Sequence, residues 1–221
     1  VTSLLTIIAP SIFDNSLSIS GEKLQSIKLI PPEEIFSNLF EVPMTINAPA
    51  PWLLALYIAT AEKQGIDKSL LAGTTQNDIT KEYLSRGTYI FPPEPSLKLT
   101  TDVIKYTTSE IPKWNPINIC SYHLQEAGAT PEQELSFALA TAIGVLEYLH
   151  DSEKIKNSLF EKIVGRISFF VNSGMRFVTE TAKMASFTEL WDEICSKRFK
   201  ISDPKYRRFR YGCLLYTSPS P

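Results

Sequence analysis

His123 is one of two histidines in the chain, and it sits just past an apolar run, Ile117-Asn118-Ile119-Cys120, that reads as a β-strand. A neutral imidazole at a strand end can donate a hydrogen bond to a carbonyl oxygen that gains charge during a reaction. Its plainer reading is a hydrogen-bonded core histidine. Arg86, between a helix and Gly87, suits a carboxylate bound bidentately if it is buried, and is otherwise a surface residue. Thr74 and Gln76 close another apolar run. Their neutral donors and acceptors could hold an amide or thioester, or cap the helix starting at Asn77. Glu126 lies one helical turn past His123 and is either a functional carboxylate or an ordinary helix-start acid, while Gly128 permits close approach of a large planar ligand. Lys113, between Pro112 and Trp114, and the Arg166-x-Ser168 pair offer contacts for phosphate or pantetheine groups. His150, at a helix end beside Asp151, reads as structural, and the run Lys205–Arg210 as a solvated loop.

These residues need a frame that places strand ends side by side, and the pattern supplies one. Met44–Asn47 is a short strand candidate, with a helix from Pro49 or Pro51 to about Lys63. Leu70–Thr74 is a second strand, followed by a helix capped by Asn77 or Asp78 and running to about Leu84. Pro95 or Ser96 opens a helix to about Glu110, and strand Ile117–Cys120 follows. Helices over about 131–150 and 156–164 precede strand Arg166–Val171, and a last helix covers roughly 175–198. Alternation with short connections implies parallel strands and right-handed crossovers. The fold class is therefore α/β, and the four or five visible strands predict a partial (β/α)8 TIM barrel rather than a complete one. No Gly-rich dinucleotide turn supports a doubly wound sheet.

Bulk properties exclude several classes. A net charge of -2, from 22 basic and 24 acidic residues, gives no basic stripe for nucleic acid. The longest apolar runs, such as Trp52–Ala59, are too short to span a membrane, and the apolar start lacks the basic region of a signal peptide. The three cysteines show neither metal-ligand nor disulfide spacing, which suits a reducing cytoplasm or an organelle matrix. There is no paired-carboxylate, Ser-His-Asp or phosphate-loop signature. Residues 1–42 carry no functional reading. From Cys213 the chain shows neither strand nor helix periodicity, and residues 213–221 are expected to be a non-native tail.

From about Met44 to Gly212 the motifs resemble those of the methylmalonyl-CoA mutase family. They are Met44–Ala48, Ala72–Asp78, Lys81-Glu82-Tyr83, Thr88–Ser96, Pro112–Asn115, Ser121–Ala129 and Arg166–Phe170, in family order. The resemblance implies an acyl-CoA mutase barrel over residues 43–212, threaded along its axis by coenzyme A and capped by a cobalamin-binding domain or subunit. It implies adenosylcobalamin as cofactor, cobalt–carbon homolysis, hydrogen abstraction from the substrate and migration of the carbonyl-CoA group. His123 would then bond the thioester carbonyl, with Tyr122 beside the reacting centre. Arg86 would hold a free carboxylate, and Thr74, Thr75 and Gln76 would line the acyl pocket. Thr45, Lys113, Arg166 and Ser168 would contact coenzyme A, and Glu126 would face the corrin. The arginine at position 86 favours a dicarboxylic acyl-CoA of the methylmalonyl-CoA/succinyl-CoA type or the similar ethylmalonyl-CoA. The wording around Trp114–Pro116 and Asn118–Cys120 leans to the ethylmalonyl branch.

Some departures bear on this reading. Pro43 stands where the family has a coenzyme A-binding serine, and Ala185-Ser186-Phe187 replaces an arginine-bearing stretch. The Asp-x-His-x-x-Gly cobalt-ligand motif is not found in the chain, so the ligand is expected from another domain, and the chain alone is expected to turn over nothing. The complete enzyme is expected to be a dimer, in the cytoplasm or, in a eukaryote, the mitochondrial matrix. The competing reading is a non-catalytic truncated barrel that only binds acyl-CoA or a partner subunit.

Overall fold

The computed structural model describes residues 42–153 and 155–215. Residues 1–41 and the expected tail beyond Leu215 lie outside the described residues. Proline shapes the helix starts: Pro51 lies in the first turn of α1 (Ala50–Lys63), and Pro93 opens α3 (Pro93–Glu110). α1 buries Leu54, Tyr57, Ile58 and Ala61, an i, i+3, i+4, i+7 stripe. Between these helices a short α2 (Ile79–Lys81) opens into a wide π-type turn at Glu82–Arg86, ended by Gly87 at φ 61°. Further on come α4 (Tyr122–Glu126), α5 (Pro131–Glu153), α6 (Asn157–Val164) and α7 (Phe177–Glu193).

The strands are β1 (Val42–Met44), β2 (Ala72–Thr75), β3 (Lys113–Asn115), β4 (Asn118–Cys120), β5 (Ser168–Ser173) and β6 (Tyr211–Leu215). All pairs are parallel, in the orders β1-β2-β3 and β4-β5-β6. β3 and β4 are two halves of one strand interrupted at Pro116, which has no N–H to give the ladder. Beyond the break, the Asn118 amide donates to the Gln76 carbonyl at 2.9 Å, and the Ser168 amide donates to Ile117 at 3.3 Å. Spatial order therefore follows chain order with no reversal, the pattern of a barrel wall rather than of a doubly wound sheet. The described residues form an arc of parallel strands and do not close a barrel.

Several boundaries differ from the sequence expectation. β1 ends at Met44, where Thr45–Asn47 had been expected to continue the strand, and Leu70, expected to open the second strand, closes a 3-10 turn (Lys68–Leu70) capped by Asp67. β3 was not anticipated, because only three residues lie between Pro112 and Pro116. Cys213–Leu215, expected to have no strand character, pair with Val171–Ser173. Alternation is hidden there because Gly212 lies against the Phe170 ring, where an added Cβ would come within 2.9 Å.

The two faces of the sheet differ sharply. Towards the helices, Met44 and Trp114 pack with Leu54, Tyr57, Ile58 and Ile111, while Ile119, Phe169 and Val171 pack with Leu146, Leu149, Phe187 and Trp191. The opposite face carries small or polar residues, Ala72 and Thr74 of β2, Asn115, Asn118, Ser168 and Gly212, together with the ring of Phe170.

Gly73 is where strand register and packing meet. It pairs with Val42, and an added Cβ would lie 2.5 Å from the Trp114 ring and 2.6 Å from the Val42 carbonyl oxygen. The carbonyl belongs to the backbone and cannot swing aside, so Gly73→Ala is expected to cost about 1–3 kcal/mol or more. Urea unfolding midpoints measure this, and an unchanged midpoint would mean that β1 and β2 do not meet in this register.

Candidate functional site

Beyond the last residue of β2, the chain turns through Asn77 in the left-handed region, at φ 50°. The Asn77 carboxamide holds that turn by donating to Thr100 and Pro116 carbonyls at 3.2 and 3.3 Å. Asp78 then caps α2 through Oδ1, while its Oδ2 accepts the Cys120 amide at 2.9 Å. The Asp78 carboxyl is fully enclosed. Burial pushes its pKa up, opposed by the Lys81 charge and the two backbone donors.

Lys81 is 2% exposed although it sits in a helix only three residues long. Its Nζ donates to Gln76 Oε1 at 2.5 Å and to Glu82 Oε1 at 2.8 Å. Asn47, just past β1, donates from Nδ2 to the same two oxygens at 3.0 and 2.9 Å, and its Oδ1 accepts the Asp78 amide at 3.1 Å. Gln76 in turn donates from Nε2 to Cys120 Sγ at 2.8 Å. Burial pushes the Cys120 thiol well up, with the Asp78 charge adding to it, so it stays protonated and is no nucleophile. Burial would also raise Glu82, but Lys81, with Thr88 and Arg86, holds it below the usual carboxylate range.

His123 is 4% exposed, and among the described residues neither ring nitrogen has a hydrogen-bond partner. Burial, reinforced by the Lys81 and Arg86 charges, lowers its pKa to about 4 against the pull of Glu126 and Glu82. The ring is thus neutral at ordinary pH, with one N–H to donate. Tyr122 covers it at a ring-centroid distance of 3.7 Å and meets the edge of Phe170 at 5.4 Å. Burial raises the Tyr122 hydroxyl pKa as well.

The structure divides the sequence-predicted residues between the two ends of the strands. At the C-terminal end stand Gln76, Arg86, Tyr122, His123 and Glu126, with Thr74 inside the end of β2 and Thr45 exposed one residue past β1. Arg86 is not buried as the carboxylate reading asked: its side chain is half exposed, with Nη1 3.7 Å from Glu82. Thr75, expected beside Thr74, points to the helix side, where its hydroxyl donates to Pro116 and accepts from Trp114 Nε1. At the other end, Lys113 is exposed at the start of β3, Ser168 bonds Asn118 Nδ2 at 2.9 Å, and Arg166 reaches the Thr108 carbonyl at 3.4 Å. From Lys113 to Cys120 the chain advances about 23 Å at roughly 3.3 Å per residue.

Of the two capping candidates, Asn77 and Asp78, it is Asp78 that caps α2, but sequence reasoning pointed to no role for Asn47, Lys81 or Glu82. It also passed over a second buried network. Glu134 accepts the Ser121 hydroxyl at 2.8 Å and the Asn172 amide at 3.2 Å, and pairs with Lys183 at 2.6 Å. A lysine in the first turn of a helix, where the dipole disfavours a cation, was the available signal for Lys81. Among the described residues, no helix is long and apolar enough to cross a membrane, and no group of three or more His, Cys, Asp or Glu is placed to hold a metal ion.

With this geometry in hand, the comparisons with known proteins agree with one another. The family model for methylmalonyl-CoA mutase matches residues 30–217. The chain is 68% identical over 169 residues to the ethylmalonyl-CoA mutase of Cereibacter sphaeroides, covering 76% of this chain and 26% of that protein. It is 65% identical over 169 residues to the ethylmalonyl-CoA mutase of Methylorubrum extorquens, with 76% and 25% coverage. Human mitochondrial methylmalonyl-CoA mutase is 42% identical over 172 residues, with 78% and 22% coverage. The chain spans about a quarter of the length of the ethylmalonyl-CoA mutases it matches.

A buried neutral histidine has a measurable signature. Its folded pKa, about 4, lies below the unfolded value of about 6.5, so the unfolded state binds more protons between those values. The His123 contribution to stability is therefore intact above pH 6.5 and is lost as the pH falls towards 4. Side-chain NMR should show this ring unprotonated at pH 5, and His123→Asn should lose less stability than wild type between pH 7 and 5. A His123 titration midpoint near 6.5 would contradict the enclosed geometry.

Proposed function

The chain belongs to the methylmalonyl-CoA mutase family, and from that premise we propose that it is the substrate-binding barrel wall of a dicarboxylic acyl-CoA mutase. The observation that carries this is His123, enclosed, neutral and unpartnered among the described residues, within the field of the Arg86 guanidinium. A neutral N–H donor is suited to a thioester carbonyl, and a half-free guanidinium to a carboxylate. The polar face of the sheet joins this end to Lys113, Ser168 and Arg166, giving a long ligand such as coenzyme A a course along the strands. In most barrels bulky branched side chains fill that space. Thr74 and Gln76 would flank the acyl group, and Thr45 would meet the coenzyme A arm.

The uncovered end of α4 fits a large planar cofactor. Glu126–Gly128 are exposed there, and a Cβ added at Gly128 would meet nothing within 4 Å. Glu126 and Tyr122 would face adenosylcobalamin, with the cobalt ligand supplied by a further domain or subunit. When bound, that group supplies the radical that starts the carbon-skeleton rearrangement. The chain's own residues bind the acyl group at both ends, exclude water around it and hold the proton on the His123 ring. The 221-residue chain alone is expected to be inactive. A dimeric complete enzyme and a cytoplasmic location, or a mitochondrial one in a eukaryote, remain part of the proposal.

The higher identity to the two ethylmalonyl-CoA mutases favours ethylmalonyl-CoA over methylmalonyl-CoA as substrate. Assaying the complete protein with both thioesters, with and without adenosylcobalamin, tests the reading. Cobalamin-dependent isomerisation of either supports the mutase, and the larger kcat/KM assigns the substrate. Binding without turnover would leave the non-catalytic barrel. In the complete enzyme, Arg86→Gln is expected to raise KM about tenfold or more with a smaller effect on kcat. His123→Ala should mainly lower kcat, by about 100-fold. Wild-type kinetics in both variants would remove these roles.

A further inference from the structure

A lysine ammonium can only donate, so the Gln76 atom 2.5 Å from Lys81 Nζ must be the amide oxygen. Asn47 Nδ2 donates to that same oxygen, so both of its lone pairs are taken. The Gln76 carboxamide is therefore locked. Its NH2 group is turned towards Cys120 and can offer a ligand nothing but N–H. Lys81 also reaches Glu82 Oε1, the oxygen nearest the Arg86 guanidinium. Glu82 is shared between a buried cation at 2.8 Å and a half-exposed one at 3.7 Å, and the buried one holds it more closely.

We propose that Lys81 is the positioning residue of the acyl site. By occupying the Gln76 carbonyl it leaves only that side chain's N–H groups to meet an acyl oxygen, and by neutralising Glu82 it leaves Arg86 available to a substrate carboxylate. This rests on the acyl-CoA reading above and deepens it. Lys81 touches no substrate itself. Without its charge, Gln76 is free to flip and present an acceptor, and Glu82 turns wholly to Arg86 and competes with the incoming carboxylate. Glu82→Gln works in the opposite direction, because Arg86 then loses its internal competitor while Gln76 keeps its Lys81 bond.

The experiment uses the complete protein and reads binding separately from turnover. Dissociation constants are measured for methylmalonyl-CoA and for isobutyryl-CoA, which lacks the free carboxylate. The selectivity is the ratio of the two. In Lys81→Met, which keeps volume and removes charge, selectivity for the dicarboxylic thioester should fall about tenfold, and kcat should fall with it. In Glu82→Gln selectivity should rise severalfold. The double variant, in which Glu82 no longer competes for Arg86, should return near wild-type selectivity without recovering kcat, since Gln76 is still unlocked. A purely structural ion pair would not move selectivity in opposite directions. If Lys81→Met does not fold, Glu82→Gln and the double variant decide alone. Selectivity within twofold of wild type in the folded variants overturns the proposal. If the wild type binds neither thioester, the acyl-CoA reading fails first, and the positioning role falls with it.

Discussion

A buried or half-buried side-chain oxygen that accepts the backbone N–H near the end of a neighbouring strand is the contact on which the site depends. Among the described residues it occurs three times. Asn47, after β1, accepts the Asp78 amide after β2; Asp78 accepts the Cys120 amide at the end of β4; and Glu134, in α5, accepts the Asn172 amide in β5. Parallel strands leave such amides unpaired where the ladder runs out, and a buried unpaired amide costs about 1–3 kcal/mol. Water would serve on an open surface. Where a ligand must displace water, the chain has to supply the acceptor itself. Each acceptor also fixes the direction in which the following residues depart, so Tyr122 and His123 inherit their positions from the Asp78 bond to Cys120 and the Glu134 bond to Ser121.

Enclosed carboxylates require enclosed cations, which explains two lysines that would otherwise be misplaced. Lys81 counters Asp78 and Glu82, and Lys183 counters Glu134 and Glu180. Replacing such pairs with apolar residues is often neutral for stability, so their presence argues for a directional role. Orientation is what a hydrophobic contact cannot give. Lys183 also donates to the Asn172 side chain and backbone carbonyl, so the same arrangement holds the end of β5.

The sequence made the helices legible because their starts carry proline and their buried faces keep helical spacing, as in Leu54, Tyr57, Ile58 and Ala61. It made His123, Gln76 and Tyr122 legible because polar side chains directly follow an apolar run. Strand ends were less clear. With one face polar, Lys113–Asn115 shows no apolar pattern beyond Trp114, and Pro112 and Pro116 argue locally against a strand. β6 hides its alternation behind Gly212. The buried network was harder still, since Asp78, Lys81 and Glu82 within five residues look like a solvated helix start. Only the three-dimensional meeting with Asn47 and Cys120, which lie 31 and 42 positions away from Asp78, removes them from water.

The same geometry explains why Arg86 can be half exposed and still functional. A fully buried, fully paired arginine would have its guanidinium committed, and a substrate would have to break a strong ion pair to reach it. Here the wide turn at Glu82–Arg86 carries the guanidinium to 3.7 Å from a carboxylate already held by Lys81, Asn47 and Thr88. Glu82 therefore restrains Arg86 without saturating it. Burial, with the Lys81 and Arg86 charges adding to it, lowers the affinity of His123 for a second proton, so the ring keeps its neutral donor. One cluster thus sets both ends of the acyl site: a guanidinium with donors to spare for a carboxylate, and an imidazole with a single N–H for a carbonyl.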